Sequence, residues 1–181
     1  LSLHDALPIF MYNDFIVVGP KDDTAKLKEK APSNAVEAFK LISTSKASFI
    51  SRGDKSGTNT KELDIWKSAG IKPTGNWYIS AGKGMGAVLQ MASERKAYTL
   101  TDRATYLNMR DKLDLTIVTE KGSQFLNQYA LIRLDQSKNK IKTEEANEFI
   151  KWMISSKGQK LIGEYGKEKY GMPLFVPNAK K

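Results

Sequence analysis

Residues 47–58, ASFISRGDKSGT, decide the fold. Ala47–Ser51 reads as a short strand, since Phe49 and Ile50 are bulky, strand-favouring and flanked by small residues. It runs without a linker into a glycine-containing turn. Thr58–Ala69 then reads as a helix: Asn59 and Glu62 give a capping pattern, Leu63 and Trp66 share a face, and Gly70 ends it. A strand turning directly into a helix is the repeating piece of an α/β sheet, and the turn at the strand's carboxyl end is where such sheets hold ligands.

The pattern continues on both sides. Upstream, Tyr12–Gly19 is a strand whose run Phe15–Val18 is continuously apolar, as expected of a strand buried on both faces in a parallel sheet. Lys21–Ser33 reads as a charged connector and Asn34–Ser45 as a helix capped by Asn34 and Glu37. Downstream, Trp77–Ser80 is a brief strand, AGKGMG opens a helix to about Arg95, and Ala97–Leu100 is a strand followed by Thr101-Asp102-Arg103 and another helix. Leu115–Val118 and Tyr129–Leu134 are further strands. Thr143 is expected to cap a helix with an apolar stripe at Ala146, Phe149, Ile150, Met153 and Ile154, and a second helix follows the break at Ser155-Ser156. Strands alternating with helices predict an α/β protein with mostly parallel sheets.

Composition narrows the function. The 181 residues, 40% hydrophobic and 27% charged, suffice for one core or two small lobes. No stretch approaches the ~18 consecutive apolar residues of a membrane helix. Without cysteine there are no disulfides or thiolate metal sites, and with His4 as the single histidine, histidine-based triads and metal centres are excluded. The net charge of +9 favours an anionic partner, but the lysines are spread along the chain, which reads as a solvated basic surface and not as a nucleic-acid footprint. Trp66, Trp77 and Trp152 are assigned to packing. Leu1–Phe10 has neither the charged start nor the cleavage site of a signal peptide, and its apolar positions continue into no helix or strand; these ten residues are read as a non-native leader.

Three turns offer chemistry. In SRGDKSGT, Gly53 and Gly57 let a ligand approach the backbone, Ser51, Ser56 and Thr58 carry hydroxyl donors, Arg52 is a permanent cation, and the helix start adds free N–H groups. Those are the parts of a dry anion site; from spacing alone, an ordinary turn capped by Asp54 and Ser56 accounts for them slightly better. GKGMGA, residues 82–87, matches the dinucleotide pattern G-x-G-x-x-G/A, with Asp102 at the expected distance. Its preceding strand NWYIS is short and polar, so the glycines are read instead as a second helix start at the same cleft, at Gly84 and Met85. Arg103 is a further anion candidate, although an Asp-Arg pair at a helix start more often caps and pairs locally.

Together MYNDFIVVGPKDD, ASFISRGDKSGTNTKEL, WYISAGKGMGAVLQMASERKAYTLTDRATY and GQKLIGEYGKEKYGMPLFVP, in this order over nearly all of Met11–Pro177, resemble the tungstate-binding components of the Tup ABC transporters, the TupA family. The resemblance implies a type II periplasmic-binding-protein fold, with two α/β lobes joined by crossing strands and lobe one incomplete. Residues 11–20 would be a remnant of lobe one and the first crossover, 21–127 lobe two, and 128–181 the second crossover and C-terminal helices. It implies a binder without catalysis, cofactor or metal cation, capturing tungstate or molybdate for an ABC permease, as a periplasmic or cell-surface lipoprotein and a monomer. Arg52 would be the principal counter-charge, Ser51, Ser56, Gly57 and Thr58 donors, and Gly84, Met85 and Arg103 secondary contacts. The family's Thr/Ser-rich loop of lobe one does not precede Met11, so this form is expected to bind barely and a full-length form tightly. Alternatives are a phosphate or sulfate binder of the same fold, a dinucleotide-dependent oxidoreductase fragment built on GKGMGA, and a nucleic-acid or membrane-surface binder driven by charge.

Overall fold

The apolar run Phe15–Val18 lies inside β1 (Ile9–Pro20), where Ile16, Val17 and Val18 are fully buried. In this computed structural model, residues 9–134 and 142–179 are described. They fall into two units, Asp14–Leu126 and a second made of 9–13 with 127–134 and 142–179, and β1 runs from one into the other. In the larger unit β1 is antiparallel to both β4 (Thr99–Asp102), through Ile16↔Thr101, and β5 (Leu115–Thr119), through Val18↔Ile117. The expectation of a parallel setting for this strand is thus corrected. Having a neighbour on each edge and cover on each face makes a strand read as continuously apolar, whichever way the neighbours run.

The parallel part of the unit is β2 (Phe49–Ser51) beside β3 (Tyr78–Ser80), paired in register from Phe49↔Tyr78 to Ser51↔Ser80. The amide of Ile50 donates to the carbonyl of Tyr98, which carries the pairing on towards β4. Around these strands lie α1 (Leu27–Lys30), α2 (Ala35–Ser45), α3 (Gly57–Ser68), α4 (Met85–Glu94) and α5 (Arg103–Met109). The Asn34 cap is present, its side chain accepting from Glu37 N. Lys21–Ser33 is more than a connector, because it contains α1 and buries Ala25, Leu27 and Ala31.

An aromatic cluster holds the helices to β2 and β3. Trp66 of α3 is 1% exposed and lies 4.4 Å from the ring of Phe39 on α2 and 5.4 Å from that of Phe49 on β2. Trp77 and Tyr78 complete it. Leu63, expected on the same face as Trp66, is 48% exposed instead. The helical face that turns inward is Asn59, Glu62, Ile65 and Trp66, a spacing of three and four residues.

In the smaller unit β7 (Val176–Pro177) pairs with Met11 and Tyr12 of β1, and Asn127 donates to Asn13. Ile9 and Phe10 do continue into a strand, contrary to expectation: Phe10 is buried and its carbonyl accepts from Asn178 N and Gln159 Nε2. The rest of the supposed leader, with His4, lies outside the described residues. The last long strand is β6 (Leu126–Ala130), not Tyr129–Leu134; Ile132 and Leu134 are exposed. Then come α6 (Thr143–Ile154), α7 (Ser156–Glu164), capped by Ser155, and α8 (Lys167–Tyr170). Lys142, whose side chain makes no capping bond, takes the cap position expected of Thr143, and no residue of α6 is buried. Trp152 is accordingly 44% exposed and is not a core residue. An amphipathic pattern makes a helix able to bury a stripe; it does not ensure that anything covers it.

Candidate functional site

SRGDKSGT and AGKGMG are neighbours because the strands that feed them are. Ser51 and Ser80 end β2 and β3 side by side, Ala81 N donates to the Ser51 carbonyl, and Lys83 N donates to that of Arg52 at 3.2 Å. Helices α3 and α4 therefore start at adjoining strand ends, each with unpaired N–H groups and a partial positive charge. Gly53 makes the first turn possible. Its φ is +61°, and an added Cβ would collide with the Ser80 hydroxyl. Gly53→Ala should cost about 1–2 kcal/mol from the left-handed backbone alone, read as a lower urea midpoint, whereas Gly57→Ala, with nothing within 4 Å of the new carbon, should leave it unchanged.

Within the turn Arg52 Nη2 donates to Asp54 Oδ2 at 2.5 Å, and Ser56 N donates to Asp54 Oδ1 at 3.1 Å. Hydrogen bonding from Ser56, with Arg52 adding, holds the Asp54 carboxyl below its ordinary range. Arg52 Nε is buried and has no hydrogen-bond partner, leaving one donor of a permanent cation unused. Ser56 caps α3 by accepting from Asn59 N, and Thr58, two residues on in the first turn, is buried. The cap thus sits three residues before the Asn59–Glu62 pattern that the sequence suggested.

Ser51 departs most from its expected role. Its hydroxyl donates to Glu62 Oε2 at 2.6 Å and accepts from Asn59 Nδ2 at 3.3 Å. It therefore faces α3 and is committed inward, because strand alternation puts it on the same side as Phe49. Glu62, 2% exposed, also accepts from Tyr78 Oη at 2.8 Å and Trp66 Nε1 at 3.1 Å. Burial outweighs these donors and raises the Glu62 pKa, and the same burial with the Glu62 charge raises that of Tyr78. A carboxyl whose folded pKa exceeds its ordinary 4.5 contributes stability in full below that pH and loses it as pH rises through the folded value. The parent should thus lose stability over that window relative to Glu62→Gln, checked by urea midpoints of both proteins across pH.

Arg103, expected as a secondary anion contact, is engaged by two carboxylates. It makes a bidentate pair with Asp14, at 2.8 Å from Nε to Oδ1 and 2.5 Å from Nη2 to Oδ2, and reaches Glu120 at 2.8 Å. Asp14 above all raises its pKa. Asp102 caps α5, accepting from Thr105 N at 2.8 Å, so it is occupied as a helix cap. Met85 is buried at the start of α4 and Gly84 is its cap residue, leaving that turn's backbone as its contribution. Among the described residues no group of three or more His, Cys, Asp or Glu converges as a metal site, and no helix is long and apolar enough to cross a membrane.

A strand shared by two units, and a donor-lined turn where parallel strands meet helix starts, are features that α/β ligand-binding folds have in common. A family model described as a PBP superfamily domain matches residues 8–157. The tungstate-binding protein TupA of Peptoclostridium acidaminophilum is 55% identical over 172 residues, 94% of this chain and 60% of that protein. The solved structure of TupA from Desulfovibrio alaskensis G20 superposes with a TM-score of 0.83 at 34% identity, covering 97% of this chain and 71% of that one. For the tungstate ABC transporter structure from Geobacter sulfurreducens the TM-score is 0.76 at 46% identity, covering 90% and 71%. The chain belongs to the TupA branch of the PBP superfamily, with its type II two-lobe α/β fold. It spans 60% of the length of the Peptoclostridium relative.

Proposed function

We propose that this chain is the anion-holding part of an extracytoplasmic solute-binding protein that captures tungstate, and secondarily molybdate, for an ABC importer, without catalysing a reaction on it. The names of its relatives support the ligand class. The observation that carries the reading is the unpaired, buried Nε–H of Arg52 beside two adjoining helix starts. A tetrahedral oxyanion has its lone pairs spread in all directions, and a cation plus several neutral N–H and O–H donors meets them where water is excluded. Arg52, Ser56, the amide of Gly57 and Thr58 form the proposed contact set, with the backbone at Gly84 and Met85 adjoining. Ser51 supports it from behind, and Arg103 is left out because two carboxylates hold it.

Calorimetric titration with tungstate, molybdate, sulfate and phosphate tests this, on the 181-residue chain and on a form extended to the length of its relatives. Tight binding of tungstate and molybdate by the extended form, and weak binding by the shorter one, is the expected result. Preference for phosphate would move the chain to the other ligand class of this fold. Binding of DNA in a salt-dependent manner, with no oxyanion bound, would overturn the reading.

A further inference from the structure

Glu62 is the most deeply buried carboxyl described, and no cation pairs with it among the described residues. A lone acidic group in a core is costly unless hydrogen bonds satisfy it, and Glu62 accepts three. Each of its contacts leads to the anion turn or to the cluster beneath. Oε1 takes Trp66 Nε1 and Tyr78 Oη, which tie it to α3 and β3. Oε2 takes the hydroxyl of Ser51, the last residue of β2 and the one just before Arg52. Ser51 Oγ in turn accepts from Asn59 Nδ2, and Asn59 Oδ1 accepts from Lys55 N at 3.1 Å. The entry of the turn at Ser51 and its exit at Lys55 are thereby fastened to one group. Lys55 has a φ of +61°, a conformation that a non-glycine residue keeps only when held.

We infer that Glu62 is the positioning residue of the SRGDKSGT turn: through Ser51 and Asn59 it fixes both ends of the loop in the shape that aims Arg52 and the α3 amides at an anion. This rests on the oxyanion-binding reading, but the positioning itself can be measured without a ligand. Glu62 touches nothing that would bind; it acts through Ser51 and Asn59. A glutamine at 62 can still accept from Trp66 and Tyr78 and bond to Ser51, whereas a leucine of similar size can do neither.

The test compares the parent, Glu62→Leu, Glu62→Gln and Asn59→Ala by amide hydrogen exchange, with tungstate titration alongside, on the extended form used above. In Glu62→Leu and Asn59→Ala, exchange of the amides of residues 52–59 should rise by about tenfold or more relative to those of α4, and tungstate affinity should fall by about as much, as the loss of one or two buried bonds implies. Glu62→Gln should stay within about threefold of the parent in both readouts, less than one net hydrogen bond. Asn59→Ala keeps the buried carboxyl and its cluster, so it decides the matter if the leucine variant does not fold. Should the turn and α4 loosen together, or the turn not loosen at all, Glu62 is only a core residue and the inference fails. If the parent binds no oxyanion yet the turn loosens selectively, the positioning stands and the functional reading falls.

Discussion

Replacing Arg52 by alanine is expected to weaken tungstate binding by at least about a hundredfold, from the loss of one to two charge-assisted bonds at ~1.5–3 kcal/mol each. Two effects add. The guanidinium supplies the buried Nε–H that has no other partner, and a permanent positive charge where the anion would be stripped of water. Its removal also frees Asp54, whose carboxyl is held ionised at the turn and would then face the anion without a neighbouring cation. Arg52→Lys should recover only part of the affinity, since a point charge cannot reproduce the fork that serves Asp54 and a ligand together. Folding should hardly change, because the Arg52–Asp54 pair lies near the surface. Calorimetric dissociation constants for parent and both variants check this. Unchanged affinity in Arg52→Ala would remove the turn from the site.

Trp66→Ala is the largest stability change expected, about 3–5 kcal/mol for emptying a buried aromatic site. The indole contacts the rings of Phe39, Phe49, Trp77 and Tyr78, so elements α2, β2, α3 and β3 all lose packing at once. The change also strips Glu62 of one donor, leaving its carboxyl less well satisfied in the core. Urea unfolding should show a lower midpoint with a similar slope. A loss below about 1 kcal/mol, the range of surface substitutions, would mean that the cluster is not what binds the helices to the sheet.

Much of this arrangement is legible along the chain. Asn34 caps its helix as its spacing to Glu37 indicates, the glycines of SRGDKSGT and AGKGMG mark two strand-to-helix turns, and Gly70, at φ +71°, ends α3. Such features are local, and a few neighbouring residues determine them. Asn59 and Glu62 show where local reading stops. A separation of three residues fits a capping box and equally one face of a helix, and nothing nearby distinguishes the two. Ser51, eleven residues from Glu62, and Tyr78, sixteen away, settle it by supplying bonding partners once β2, β3 and α3 are in place.

The same division holds for strands and charges. Continuous apolarity determines that Phe15–Val18 is a buried strand, but the direction of its neighbours depends on how the chain returns to it from residues 99–102 and 115–119. Arg103 looks like an anion ligand until Asp14 and Glu120, distant in sequence, converge on it. By itself, then, the sequence determined an α/β chain with a donor-rich turn at a strand end, because strand, helix and turn preferences act over a few residues. Which of those donors remain available for an anion was decided only by the tertiary structure, since a hydroxyl or guanidinium is claimed by whatever partner the fold brings within about 3 Å.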